Sequence, residues 1–377
     1  MIGELTLRPV GLRGPAEFDG GAENLLPLAG GPLHFSRCEA IWRDGRRATR
    51  AVLPLADLAP WAEARAAGQG GAEAAALLRR LSAPRAPLAG LTLDRPRVMG
   101  ILNVTPDSFS DGGDRADPTV AVRDGLAMLA AGADILDVGG ESTRPGSQPV
   151  GFEAERARVL PVVEALAKAG AIVSIDTRHA AIMRDAVAAG AAMINDVTAL
   201  EGDPESLAAA AGCGVPVILM HMQGEPQTMQ VKPTYESAAL DIYRYLAGRL
   251  AACAAAGIDP SRVAIDPGIG FGKTLDHNLQ LFEQLALFQG LGSPVLLGAS
   301  RKSFIAKLYP QAARPKQRMA GSLAAALFGL QRGVQLLRVH DVAETCQAVA
   351  VWQAAGAMPS PADDFDSPAD SLRGALL

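Results

Sequence analysis

Between Arg97 and Val342 the chain repeats one pattern eight times: a short run rich in Val, Ile, Leu and Ala stops abruptly at polar residues, and an Ala- and Leu-rich stretch with helical spacing usually follows. The runs end in Asn103-Val-Thr-Pro-Asp107, Gly140-Glu-Ser-Thr-Arg144, Asp176-Thr-Arg178, Asn195-Asp196, His221-Met-Gln-Gly224, Asp266-Pro-Gly-Ile-Gly270, Ser300-Arg-Lys-Ser303 and Arg338-Val-His340. Continuous apolar runs suit parallel strands buried on both faces. Eight strand–helix units in series predict an α/β protein with a (β/α)8 TIM barrel, whose strand C-termini gather around one mouth. A doubly wound open sheet also alternates strands and helices, but it concentrates its chemistry at one switch point, which this sequence does not. The scattered polar groups are then expected to converge on one pocket.

The strands are expected at 98–104, 135–139, 172–175, 192–194, 215–220, 263–265, 295–298 and 334–339. Helices are expected at 118–131, 151–169, 180–189, 235–256, 275–288, 318–332 and 342–355, with a short fourth crossover at 205–211. The barrel domain therefore spans 95–356. Residues 1–94 form an additional N-terminal segment or small domain of no readable role, with Gly/Pro turns and a short amphipathic piece at 73–81. Residues 357–377, rich in Pro, Ser and Asp, read as a mobile tail.

A hydrophobic content of 49% and a charged content of 20% over 377 residues exclude a disordered chain. The net charge of −5 gives no footprint for a polyanion such as nucleic acid, although local basic residues can hold a small anion. The four cysteines are far apart with no Cys-x-x-Cys pair, which argues against a disulfide framework or zinc site. No secretory signal or membrane-length apolar run is visible, so a cytoplasmic protein is expected.

Three constellations carry the chemistry. Asn103 ends the first strand, where its amide oxygen can coordinate a hard cation; the alternative is a turn cap. Asp176, Asn195 and Asp266 end strands three, four and six. Two acceptor-only carboxylates and an amide suit a ligand edge bearing several N–H groups, such as a 2-aminopyrimidinone. Helix capping and metal ligation remain open for the two acids, though neither has the His partners of a transition-metal site. Arg144, Arg301, Lys302, Arg338 and His340 form a basic group at strand ends, and anion sites at the seventh and eighth loops are frequent in this architecture. Gly268-Ile-Gly-Phe-Gly-Lys-Thr274 misses a phosphate-binding P-loop by one residue; its glycines permit close backbone approach and Phe271 can stack on a flat ligand. His221 is either a base or a local hydrogen-bonding group. No Ser or Cys nucleophile motif is present.

Eight motifs in order resemble the dihydropteroate synthase family, the sulfonamide target of folate biosynthesis. They are ILNVTPDSFSDGG from Ile101, DVGGESTRPGS from Asp137, SIDT from Ser174, INDV from Ile194, HMQGEPQTMQ from His221, DPGIGFGK from Asp266, GASRKS from Gly298 and RVHDV from Arg338. The resemblance covers about 97–356 and says nothing dependable about the N-terminal segment. It implies condensation of 6-hydroxymethyl-7,8-dihydropterin diphosphate with 4-aminobenzoate to give 7,8-dihydropteroate and pyrophosphate, by a dissociative route. It further implies that Asp176, Asn195, Asp266 and Lys302 bind the pterin. Asn103, Arg338 and His340 would hold the diphosphate with Mg2+, and Arg144 would order the second loop. Thr143, Pro145, Phe271 and Ser303 would shape the aminobenzoate pocket, with Asp176 and Asp111 stabilising the cation. Family members resemble homodimers. A pterin-binding methyltransferase barrel and a catalytically silent pterin-binding scaffold are the two rival readings.

Overall fold

A computed structural model describes residues 4–14, 25–45, 47–66, 68–105, 118–141, 150–225 and 227–357. The chain begins with strands β1 (Glu4–Val10), β2 (Leu26–Pro27), β3 (His34–Phe35), β4 (Arg37–Asp44) and β5 (Arg47–Pro54), then helices α1 (Leu55–Ala66) and α2 (Gly70–Ser82). The order β1-β4-β5 is antiparallel throughout, with Leu5 opposite Trp42 and Leu7 opposite Ala40. One face of this sheet meets Leu58, Ala62, Ala74, Leu77 and Leu81 of the two helices in a separate apolar cluster. The helices touch at Gly70, where an added Cβ would lie 2.2 Å from the Ala62 carbonyl oxygen.

The second part of the chain runs β6 (Arg97–Asn103), α3 (Pro118–Ala130), β7 (Ile135–Gly139), α4 (Phe152–Lys168), β8 (Val173–Asp176), α5 (Ala180–Ala188), β9 (Met193–Asp196), α6 (Ser206–Cys213) and β10 (Val217–Met220). It continues through α7 (Ala238–Ala255), β11 (Val263–Asp266), α8 (Leu275–Glu283), β12 (Leu296–Leu297), α9 (Ser303–Leu308), α10 (Met319–Leu330), β13 (Leu336–Val339) and α11 (Val342–Ala357). The eight strands from β6 onward pair in parallel in the order β11-β10-β9-β8-β7-β6-β13-β12. A parallel bridge between Ile265 and Val295 brings the two ends together, so the sheet closes as the eightfold pattern requires.

Side chains alternate across a strand, and here the alternation makes both a floor and a site. Met99, Ile135, Met193, Ile218, Ala264, Leu296 and Leu336 pack together inside the barrel with Leu88 and Leu93 of the linker beneath them. Two residues further along four of these strands stand Asp137, Asn195, Asp266 and Arg338. The inward-facing set thus changes from apolar to polar within one repeat of the pleat.

The helix expected at 275–288 departs most from its expected bounds. The apolar spacing predicts helix through 288, but α8 ends at Glu283 and Leu285–Leu291 winds as a 3-10 segment. Every residue of this segment from Leu285 to Gly290 is buried, so it has no solvent face for an α-helix to present. It is tied to the linker instead. The Arg85 guanidinium donates to the Gln289 carbonyl at 2.9 Å and to its side-chain oxygen at 3.1 Å, while Gln289 donates to the Gly333 carbonyl at 2.7 Å. No helix among the described residues is long and apolar enough to cross a membrane.

Candidate active site

At the mouth of the barrel the Arg338 guanidinium reaches across from β13. Its Nε donates to Asp137 on β7 at 2.5 Å and its Nη2 to Asp176 at the end of β8 at 2.6 Å. The Asn195 amide donates to the same Asp137 oxygen at 3.1 Å. Asp137 is 0% exposed and Asp176 9%, so these charges sit out of water. Two carboxylates share one guanidinium, and burial pushes the Asp176 carboxyl up to about 7 against the pull of Arg338, with Asp137 adding repulsion. Arg338 is raised by the acids around it despite its burial.

Asp266, at the end of β11, is buried and accepts from the backbone N–H of Gly268 at 2.7 Å. Burial raises its pKa, opposed by Lys302, the Gly268 N–H and Lys273. Lys302 caps α9 in an extended conformation and donates to the Ile269 carbonyl, with its Nζ 4.4 Å from the Phe271 ring centroid. Burial brings Lys302 down to about 8, while Asp266 favours its charged form. Ser303 begins α9, and His340 Nδ1 lies 3.0 Å from the Ser300 hydroxyl. Asn103 ends β6, half-buried and directly opposite Gly139 in the register that continues to Asp176 and Asn195.

The structure therefore brings Asp176, Asn195 and Arg338 into one hydrogen-bonded set through Asp137, with Asp266, Lys302 and Phe271 forming the adjoining group. Asp111, Thr143, Arg144 and Pro145 lie outside the described residues. Arg301, expected in the basic group, is turned to Asp341 in a bidentate pair instead. Asp196 separates from its neighbour Asn195: it accepts from Thr198 N–H, the Thr198 hydroxyl and Leu200 N–H, and so caps a turn. His221 is buried with its Nδ1 3.0 Å from Lys273 Nζ, and burial and Lys273 push its pKa down to about 2.

Two features escaped the sequence reading. Asp137 sits inside the apolar run Ile135-Leu-Asp-Val-Gly139, where its charge among aliphatics was the available signal. The second is a set around Glu141 and Val150. Arg178 grips Glu141 with two bonds of 3.0 Å, and Glu141 accepts from the Val150 N–H at 3.0 Å. Beside them Glu155 is 0% exposed, and among the described residues neither carboxylate oxygen has a hydrogen bond of normal geometry. His179 Nε2 stands 3.6 Å away. Burial raises Glu155 to about 7, the nearby Thr177 hydroxyl opposing it. Glu141, Glu155 and His179 have ligating atoms within 4.8 Å of one another, but the Arg178 guanidinium already neutralises Glu141.

Residues 99–340 match the family described as pterin binding enzyme. The chain is 47% identical over 265 residues to a dihydropteroate synthase of Escherichia coli, covering 70% of this chain and 93% of that protein. It is 49% identical over 271 residues to the enzyme of that name from Neisseria meningitidis, covering 70% and 94%. Among solved structures it resembles Xanthomonas albilineans dihydropteroate synthase with 4-aminobenzoic acid, at 52% identity and a TM-score of 0.69, covering 73% of this chain and 99% of that one. The same organism's enzyme in complex with 7,8-dihydropteroate matches at 49% identity and a TM-score of 0.66, covering 73% and 100%.

Proposed function

The chain belongs to the dihydropteroate synthase family of pterin-binding transferases, and from that premise we propose how its own residues carry the reaction. The substrates are 6-hydroxymethyl-7,8-dihydropterin diphosphate and 4-aminobenzoate, and the products 7,8-dihydropteroate and pyrophosphate. The observation that supports this assignment best is the linked set Arg338–Asp137–Asn195–Asp176 next to Asp266 and Lys302. It offers acceptors for the N–H edge of a 2-aminopyrimidinone beside cations for a diphosphate.

Asp266, Asn195 and Asp176 accept from the pterin ring, and Lys302 donates to its opposite side. Arg338 and His340 hold the diphosphate. The C–O bond to that group breaks first, and its electron pair leaves on oxygen. The pterin-methyl cation so formed is stabilised by the buried Asp176 carboxylate, joined by Asp111 from the first loop. The arylamine nitrogen then forms the C–N bond and loses a proton to solvent or pyrophosphate. Phe271, Ser303, Thr143 and Pro145 shape the arylamine pocket, Arg144 orders the second loop, and closure keeps water from capturing the cation. No covalent enzyme intermediate is needed, in keeping with a site that offers acids and cations.

Asn103 fits a role toward Mg2+. It presents one neutral amide oxygen, half-buried at the strand end, and a hard cation of this kind takes one or two protein oxygens and fills its shell with phosphate and water. Held there by Asn103 and the substrate, Mg2+ would neutralise charge on the leaving pyrophosphate. We place the enzyme in the cytoplasm as a homodimer. Exposed apolar Leu308, Tyr309, Met319 and Phe328, on and between the late helices α9 and α10, support a second copy packing there.

One assay tests the assignment. The full chain is incubated with both substrates, with and without Mg2+, and pyrophosphate and dihydropteroate are measured. Equal amounts of both, dependent on Mg2+, are expected; pterin binding with no arylamine-dependent pyrophosphate in any condition would point to a scaffold or methyltransferase.

A further inference from the structure

The glycine-rich segment after β11 is held in an unusual way. Four consecutive carbonyls each accept from a side chain. Lys302 donates to Ile269, Gln230 to Gly270 at 2.7 Å, Lys273 to Phe271 at 2.9 Å and the Tyr235 hydroxyl to Gly272 at 2.8 Å. Gly270 N–H is taken by the Asn278 side chain at 2.7 Å. Gly268 and Gly272 have φ of 72° and 61°, and an added Cβ would lie 1.9 Å from the His221 carbonyl and 2.4 Å from that of Gln223. Backbone therefore lies on backbone, and the segment has one position against the end of β10.

Lys273 is the centre of this arrangement. It is 1% exposed, with its Nζ 2.9 Å from Phe271 O, 3.0 Å from His221 Nδ1 and 3.3 Å from His221 O, and burial pulls its pKa well below the usual lysine value. A lysine taken out of water is costly unless it is bonded, and this one ties the segment that follows β11 to His221, just past the end of the neighbouring strand β10. Phe271, whose carbonyl it holds, turns its ring toward Lys302.

We propose that Lys273 is a positioning residue for the arylamine: by tying Phe271 to the end of β10 it fixes the height of the wall against which the aminobenzoate ring packs. The inference rests on the arylamine-pocket reading of Phe271. It differs from that reading in assigning specificity to a side chain that touches no substrate.

The test uses Lys273→Met, which keeps the buried volume and removes the three bonds. Michaelis constants for the arylamine and calorimetric affinity for the pterin diphosphate are measured on the same preparation. Loss of a buried bond should raise the arylamine KM about tenfold, with a smaller fall in pterin-diphosphate affinity of at most about threefold, because Lys273 also acts on the charge of Asp266. kcat at saturating arylamine should stay within about threefold, since the reacting atoms keep their neighbours. A merely structural role would move both substrates alike, and that result, or an unchanged arylamine KM, overturns the proposal. If Lys273→Met does not fold, Tyr235→Phe removes the neighbouring bond and should show the same split at about three- to fivefold; its absence there overturns the proposal equally. A wild-type chain without arylamine-dependent turnover overturns the functional assignment and this inference together, whereas an active wild type with no split overturns this inference alone.

Discussion

Removing the guanidinium of Arg338 while keeping its bulk, as in Arg338→Met, leaves two buried carboxylates facing each other. The wild-type bonds are 2.5 Å to Asp137 and 2.6 Å to Asp176, and the acids are 0% and 9% exposed, so solvent replaces little of what is lost. Breaking a buried pair by deleting one partner costs about 3–5 kcal/mol, and with two acids losing their shared cation the upper half of that range applies. The loss also has a pH signature. Asp176 already has a folded-state pKa raised to about 7 from 3.8, so its favourable contribution is complete below the unfolded value and fades as pH rises to about 7. Arg338 lowers that pKa; without it Asp176 keeps its proton to higher pH, and the fading continues past the wild-type limit. Each further pH unit costs the variant about 1.4 kcal/mol that the wild type does not lose. Denaturant unfolding followed by helical circular dichroism should therefore show the variant's deficit widening by about 1–2 kcal/mol between pH 6 and pH 8.5. Adding Asp176→Asn should abolish the widening. A deficit below about 1 kcal/mol, or one that is flat with pH, would refute the claim that one guanidinium neutralises both acids.

Three further outcomes follow from the same geometry. Glu155, raised to about 7 by burial, should cost roughly 3 kcal/mol above that pH and nothing below about 4.5, so Glu155→Gln should melt higher than wild type near pH 8 and equally near pH 4; equal melting at both would refute it. Lys302→Ala should weaken pterin-diphosphate binding about 10- to 100-fold by calorimetry, because it deletes a charged donor beside Asp266; unchanged affinity counts against its place at the ring. Asp176→Asn should lower kcat by about 100-fold or more with a small change in melting temperature, since the charge removed is one that burial already disfavours; near-normal kcat would end its role in stabilising the cation.

The barrel was legible because its strands are buried on both faces, which writes each as an uninterrupted apolar run, and because every run stops where the chain meets the mouth. The N-terminal sheet was not. β1 pairs with β4 across the intervening segment, β5 is mostly exposed, and Pro60 lies within α1, so no local period marks the layer. The same logic divides the site. Asp176, Asn195, Asp266 and Arg338 were readable as polar ends of apolar runs. Asp137 was hidden two residues inside its run, where only the pleat decides that it faces Arg338. Lys273 was read as part of a failed phosphate loop, and its partner His221 lies 52 positions away in sequence, brought near only because β10 and β11 pair side by side.

The account stands on distant strand ends acting on a single heterocycle. Calorimetric titration of pterin diphosphate into Asn195→Ala, from β9, and Asp266→Asn, from β11, tests this most directly, with circular dichroism confirming that both variants fold. Each change should weaken binding about tenfold or more, as expected for a hydrogen bond to the same ring edge. Wild-type affinity in either variant would contradict a shared pterin site.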